Sequence, residues 1–219
     1  MRVGVISDLH ANEPALEAVL ADMPAVEGLV CAGDLVGYNP WPGACIAAVR
    51  EGEIPTVMGN HDRMLARGRN FRGNEMARAG IAHARETVSE GDREWLANLP
   101  DERLLFEGRV RVVHGHPENP DHYTYPREFS PALLGDEEAL VMGHTHVQHH
   151  EVYDDGIVMN PGSVGQPRDN DPRAAYAVLD PDRGEVEERR VEYDIEAVRA
   201  AIREAGLPER AGTRLTQGR

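Results

Sequence analysis

The first half of the chain alternates short apolar runs with stretches whose apolar residues recur every three or four positions. Residues 3–7, Val3-Gly4-Val5-Ile6-Ser7, predict a buried strand. Residues 13–21 follow as a helix, with Asn12 as N-cap, Pro14 in the first turn, and Leu16, Val19 and Leu20 on one face. Residues 28–31 give the next strand, 42–51 the next helix, and 54–58 a third strand that stops at Gly59. From 75 to 97 the pattern is helical, in two pieces split near Ser89 and Gly91, with Ser89 able to cap the second.

The second half changes character. Short strands are predicted over 103–106, 110–114, 140–142, 148–153, 157–160, 174–180 and 185–191, with turn signals at Glu107-Gly108, Asp155-Gly156 and Arg183-Gly184. A last helix spans about 195–205, and 206–219 holds few apolar residues and is expected to fray. Crossover helices early and hairpins late predict an α/β fold, closed as two facing sheets flanked by helices. At 219 residues, a single domain over 1–205 accommodates all of it.

Each early strand ends in polar residues, and this is where candidate chemistry collects. Five clusters follow apolar runs: Asp8-Leu9-His10, Gly33-Asp34, Gly59-Asn60-His61-Asp62, His114-Gly115-His116 and Gly143-His144-Thr145-His146. Taken singly they are weak. An Asp-x-His pair occurs by chance in loops, Gly-Asp is more often a turn than a ligand, and a lone buried His is usually a satisfied imidazole. Their conjunction, each at a strand end, is what points to a site, because loops at strand carboxyl ends are where α/β sheets place ligands.

Carboxylates and neutral imidazoles without thiolates suit borderline divalent cations such as Mn²⁺, Fe²⁺, Ni²⁺ or Zn²⁺. Asp8, His10, Asp34, Asn60, His114, His144 and His146 can supply two ligand sets with an open face.

In this order, D-x-H, G-D, G-N-H-[DE], H and G-H-x-H, the motifs resemble those of the calcineurin-like metallophosphoesterase superfamily, over roughly residues 1–190. The stretches Gly33-Asp34-Leu35-Val36-Gly37-Tyr38-Asn39-Pro40 and Asn160-Pro161-Gly162-Ser163 look like its small single-domain prokaryotic members. The resemblance implies a four-layer α/β/β/α sandwich of two mixed β-sheets with the active site at the strand carboxyl edge. It also implies two divalent ions, Mn²⁺ foremost. Asp8, His10, Asp34 and His146 would hold one and Asp34, Asn60, His114 and His144 the other, with Asp34 shared. His61 matches the residue that faces the substrate without binding metal, and Asp62 its orienting partner.

The expected reaction is hydrolysis of a small phosphate ester, a monoester or a diester, by in-line attack of a hydroxide bridging two cations about 3.5–4 Å apart. Asn60 could also contact the phosphate, and His61 could protonate the leaving alkoxide or stabilise charge, with Asp62 raising its pKa. Tyr38, His116 and Arg168 are further candidates on the substrate side, whereas His149 and His150 read as a solvated strand end. The competing readings are a nuclease for short or single-stranded nucleic acid, a protein phosphatase, and a non-catalytic scaffold. None of the expected ligands is missing, which counts against the scaffold.

Charge narrows the partners. There are 38 acidic residues against 23 basic ones, every basic residue is Arg, and the formal net charge is -15. Such a field repels polyanions and counts against duplex DNA. It also predicts a high-salt cytoplasm as the setting, where salt screens self-repulsion; a GC-rich genome favouring Arg codons is the competing explanation. Cys31 and Cys45 cannot form a disulfide framework, and Cys31 reads as a buried strand residue. No signal peptide or membrane span is predicted, so a cytoplasmic protein follows, with a homo-oligomer compatible with the sequence.

Overall fold

Two mixed β-sheets face each other across a shared apolar layer. The structure is a computed structural model and describes residues 1–68 and 74–219. The first sheet has the order β2-β1-β8-β9, from β1 (Val3–Ile6), β2 (Gly28–Cys31), β8 (Ala174–Asp180) and β9 (Glu185–Val191). The second has the order β3-β4-β5-β7-β6, from β3 (Glu102–Leu105), β4 (Val110–Val113), β5 (Ala139–Val141), β6 (His149–Tyr153) and β7 (Gly156–Asn160). β1 runs parallel to β2, and β4, β5 and β7 run parallel to one another, so within each sheet the strand carboxyl ends gather on one edge.

Alternation along the strands builds the layers. Val3 and Val5 of β1, Val110 and Val112 of β4, Val141 of β5, and Ile157 and Met159 of β7 meet between the sheets. Their neighbours in sequence point outward. Ile6 and Cys31 turn to the other face of the first sheet, against Leu16 and Val19 of α1 (Glu13–Asp22), Ile46 and Val49 of α2 (Pro42–Glu51) and Leu96 of α5 (Glu90–Ala97). Each such buried aliphatic side chain stabilises the fold by about 1.5–3 kcal/mol over leaving it exposed. Outside the second sheet, Leu140, Met142 and Val158 are covered by Phe129, Leu133 and Leu134, on or beside the 3-10 turns Pro126–Glu128 and Pro131–Leu133. The α/β architecture of two mixed sheets flanked by helices is as expected from the sequence. Among the described residues no helix is long and apolar enough to cross a membrane.

Local departures have identifiable causes. Residues 54–58 are not a strand. They touch β2 through the single bridge Cys31–Thr56, with Cys31 N–H donating to Pro55 O and Val57 N–H to Cys31 O. Extending that parallel ladder would require the N–H that Pro55 lacks. Just beyond, Asn60–Arg67 forms α3, a helix the apolar pattern did not announce. In α1 the buried arc is Ala15, Leu16 and Val19, which leaves Leu20 at its margin and exposed. The two-piece helix appears as α4 (Glu75–Thr87) and α5, and Ser89 Oγ accepts from Asp92 N–H.

The segment expected to fray is instead ordered. α7 (Glu209–Leu215) packs on α6 (Ile195–Glu204), burying Leu207, Ala211 and Leu215 with Val198 and Ile202. Three apolar residues suffice because they are spaced by four and form one stripe.

Candidate metal centre

Four strand ends and the start of α3 converge at the carboxyl edge of the sheets. Asp8 and His10 follow β1, Asp34 follows β2, His114 follows β4, and His144 and His146 follow β5. Asn60 and His61 open α3 after Gly59, which must be glycine: a Cβ there would lie 2.0 Å from Asp34 Oδ1 and 2.3 Å from Asp34 N. The backbone bends sharply at this edge. Asp8, His10, Asp34, His144 and His146 all have φ between 46° and 69°, a left-handed conformation uncommon for residues with a Cβ. Each costs on the order of 1–3 kcal/mol, strain that folds concentrate where side chains must converge.

Each carboxylate has one oxygen anchored and one presented to the cluster. Asp8 Oδ2 accepts from Ser7 Oγ at 2.7 Å and from His144 N–H at 3.0 Å, while Oδ1 lies 3.1 Å from His146 Nε2. Asp34 Oδ1 accepts from His61 N–H at 2.8 Å, while Oδ2 lies 3.4 Å from His114 Nε2 and 3.7 Å from His10 Nε2. Asp34 therefore stands between two groups of imidazoles.

The imidazoles are aimed with equal definition. His10 Nδ1 donates to Val36 O (3.0 Å), His114 Nδ1 to Ala32 O (2.7 Å) and His146 Nδ1 to Gln166 O (2.6 Å). A carbonyl oxygen only accepts, so each Nδ1 carries the proton, and in the neutral ring each Nε2 presents a lone pair. Those lone pairs face other acceptors. His10 Nε2 and His146 Nε2 lie 3.0 Å apart, and His114 Nε2 lies 3.1 Å from Asn60 Oδ1. His144 Nε2 is buried without a hydrogen-bond partner. Buried carboxylates and imidazoles crowded this closely are reconciled by a cation, and carbonyl-oriented imidazoles are how proteins prepare metal ligands. Three groups, Asp8–His10–His146, His10–Asp34–His61 and Asp34–His114–His144, each bring their candidate ligand atoms within 4.8 Å of one another.

Electrostatics agrees. Burial, the neighbouring imidazoles and Asp34 set the balance at each ring. Burial keeps His10 and His146 below the ordinary imidazole range and lowers His144 to about 3 and His61 to about 4. Neutral imidazole is the form that ligates metal. Burial works to raise Asp8 and Asp34, but the imidazoles around them, His146 at Asp8 and His114 at Asp34, hold both below the usual carboxylate range. His114 alone goes the other way: against burial, Asp34 and Asp8 push it up to about 9. The point between Asp34 and His114 thus calls for positive charge.

Asp62 braces the backbone of this centre. Its carboxylate accepts the backbone N–H groups of Asp34 (2.9 Å), Leu35 (2.9 Å) and Gly59 (3.1 Å). Through these bonds it orients the Asp34 turn. Burial, with Asp34 beside it, pushes Asp62 up to about 7.

The remaining candidates divide. Tyr38 is buried edge-on against His10, ring centroids 4.7 Å apart, and its hydroxyl accepts from Arg168 at 3.0 Å. Arg168 also donates to Gln166 Oε1 at 3.1 Å, and among the described residues it has no carboxylate partner. His116 stays out of the ligand groups; its Nδ1 accepts from Glu118 N–H within its own turn. His149 and His150 pair with Glu151 and Glu188 on the strand surface. Sequence reasoning missed Tyr123, whose ring lies over His144 with centroids 3.8 Å apart, and Gln166, which braces both His146 and Arg168. No spacing signal marked either.

Comparison with known proteins decides the family. A model of the calcineurin-like phosphoesterase superfamily domain matches residues 1–184. The chain belongs to that superfamily. It is, with it, a phosphoric ester hydrolase with residues grouped to bind divalent metal. Among calcineurin-like relatives, the crystal structure of a metallophosphoesterase from Sphaerobacter thermophilus superposes with a TM-score of 0.86 at 38% identity, covering 100% of this chain and 99% of that one. The phosphodiesterase YfcE of Escherichia coli is 31% identical over 83% of this chain and 89% of its own length. An uncharacterized protein of Methanocaldococcus jannaschii is 31% identical over 99% of this chain and 98% of its own.

Proposed function

We propose that the chain is a dinuclear-metal phosphodiesterase or phosphomonoesterase acting on a small phosphate ester. The observation that supports this most directly is the buried cluster of carboxylates and imidazoles, with Asp34 Oδ2 at 3.4 Å from His114 Nε2 and 3.7 Å from His10 Nε2. Asp8, His10, Asp34 and His146 would hold one ion and Asp34, Asn60, His114 and His144 the second. The donor set of carboxylates, imidazoles and one amide favours Mn²⁺, with Fe²⁺, Ni²⁺ or Zn²⁺ as alternatives. Bound there, two divalent cations supply an activated water and neutralise phosphoryl oxygens for in-line displacement.

The chain's own residues do the remainder. Arg168, braced by Tyr38 and Gln166, offers a guanidinium to a phosphoryl oxygen in the planar geometry suited to it. His61 would protonate the leaving alkoxide. Burial keeps it neutral in the free protein, and an incoming anionic phosphate favours its charged form as Asp34 already does. Asp62 keeps the shared carboxylate in position through the Asp34 turn. With its net charge of -15 and Arg as its sole cation, the proposed setting is the cytoplasm of a high-salt organism.

The test is a matrix of metals and esters: apo protein refilled with Mn²⁺, Ni²⁺, Zn²⁺ or Mg²⁺, assayed on a model monoester and a model diester in low and high salt. Turnover should require metal and be greatest with Mn²⁺, with two ions bound per chain. Hydrolysis of neither ester with any metal would overturn the reading in favour of a scaffold. Full turnover by His61→Ala at saturating Mn²⁺ would remove the role given to His61.

A further inference from the structure

Beside the ligand cluster stands an aromatic wall that metal binding does not require. Tyr123 stacks on His144, with ring centroids 3.8 Å apart and planes 23° from parallel. Tyr125 continues outward, 6.2 Å from Tyr123 and only 17° from parallel to it, and the Arg127 guanidinium lies 5.4 Å from the Tyr125 ring centre. The two tyrosines are 43% and 37% exposed, and among the described residues no other phenylalanine, tyrosine or tryptophan is exposed to that degree. Tyrosines that serve only packing bury their rings, as Tyr176 does.

The wall is built rather than loose. Thr124 between the two is buried, so alternation along the extended segment sends both rings to the same side. Glu128 fastens the segment at two points, accepting from Tyr125 N–H at 3.0 Å and pairing with His122 Nε2 at 2.9 Å. Arg168, held by Tyr38 and Gln166, also bears electrostatically on the Tyr123 phenol. The phosphate-facing guanidinium and the start of the wall are therefore neighbours.

We propose that Tyr123 and Tyr125 form a base-stacking subsite, and that the small ester cleaved here is a nucleotide. The proposal rests on the phosphoesterase reading above. A ring bonded directly to the phosphate oxygen would stay beside His144, whereas the wall runs outward to Tyr125, which a ring set off from phosphorus by a sugar can reach. A nucleobase offers a flat π-face to such a platform whatever its sequence identity. The net charge of -15 opposes long polyanions, so the ligand is a small nucleotide rather than a nucleic acid strand.

The experiment separates stacking from turnover. Two probes whose P–C bond resists hydrolysis, the 5′-phosphonate analogues of adenosine monophosphate and of ribose 5-phosphate, are titrated by equilibrium dialysis into Mn²⁺-loaded wild type, Tyr123→Leu and Tyr125→Leu. Wild type should bind the adenosine probe about tenfold or more tightly than the base-free one, as stacking of one base predicts. In both variants that ratio should fall toward one. Equal affinity of wild type for the two probes, or a ratio that survives both substitutions, overturns the proposal. Hydrolysis of a model ester by the same wild-type preparation reports on the phosphoesterase reading alone, so failure of one is distinguishable from failure of the other.

Discussion

His10 and His146 are tied to backbone carbonyls at Val36 and Gln166 and are almost wholly buried, whereas His144 is steadied on one face by the exposed ring of Tyr123 and leaves its Nε2 without a partner. Both halves of the cluster are buried, and they differ in what borders them. The Asp8–His10–His146 half lies at the junction of the sheets and is closed by turns from both. The Asp34–His114–His144 half borders Asn60 on α3 and the more exposed 115–128 segment, from which Tyr123 reaches His144. Carbonyl-braced imidazoles, His114 among them, fix geometry with little reorganisation. Asp34, presenting its Oδ2 to both halves, is the element they share.

The strongest way to break the comparison is to remove what the halves share. Asp34→Asn should lower turnover by on the order of 10³-fold, from several kcal/mol of lost transition-state stabilisation at 1.36 kcal/mol per factor of ten. Metal analysis should show fewer than two tightly held ions. Retention of both ions and of turnover would mean the halves are independent. Gly59→Ala attacks the turn that brings the open half to Asp34. The added Cβ would meet Asp34 N at 2.3 Å, a backbone atom that cannot swing aside. A loss of about 3 kcal/mol is expected, read as a fall in Tm of roughly 6–12 °C for a chain of this size. An unchanged melting curve would show that the turn is softer than its contacts imply.

The sequence displayed the candidate ligands and hid their supports. Asp8, His10, Asp34, Asn60, His114, His144 and His146 were legible because each follows an apolar run and carries its chemistry in its side chain. The backbone partners of Asp62 were not, since they are N–H groups of Asp34 and Leu35, 28 and 27 residues away in the chain, and every residue but proline has such a group. The left-handed turns at Asp8 and His146 were equally silent, because residues other than glycine give no sign of positive φ. Two misreadings came from counting instead of placing. Residues 54–58 hold strand-forming Ile, Thr and Val, yet Pro55 limits them to one bridge. The 206–219 segment has few apolar residues, yet Leu207, Ala211 and Leu215 align. Two exposed tyrosines with one residue between them gave no signal until Tyr123 was seen against His144.

Asp62→Asn sharpens the comparison at lower amplitude. An amide replaces one acceptor oxygen by a donor facing the N–H of Asp34 or Gly59, so the Asp34 turn should loosen while every direct ligand remains. A loss of about 10- to 100-fold in metal affinity or activity is expected, the range for residues that orient ligands. Isothermal titration with Mn²⁺ checks it, and wild-type affinity would mean that Asp62 merely fills space.

The smallest effect concerns the contrast between the interior charges and those outside. The acids of the cluster are buried among imidazoles, where salt screens poorly, while most of the 38 acidic residues are available to repel one another in solvent. Raising KCl from 0.1 M to 1 M shortens the Debye length from about 10 Å to about 3 Å, which weakens repulsion across the surface but not within the enclosure. Thermal unfolding should therefore move modestly upward with KCl, while the Mn²⁺ concentration needed for half-maximal activity stays within a few-fold. A melting temperature indifferent to KCl would assign the acidity to composition alone and leave the enclosed charges as the ones that matter to this fold.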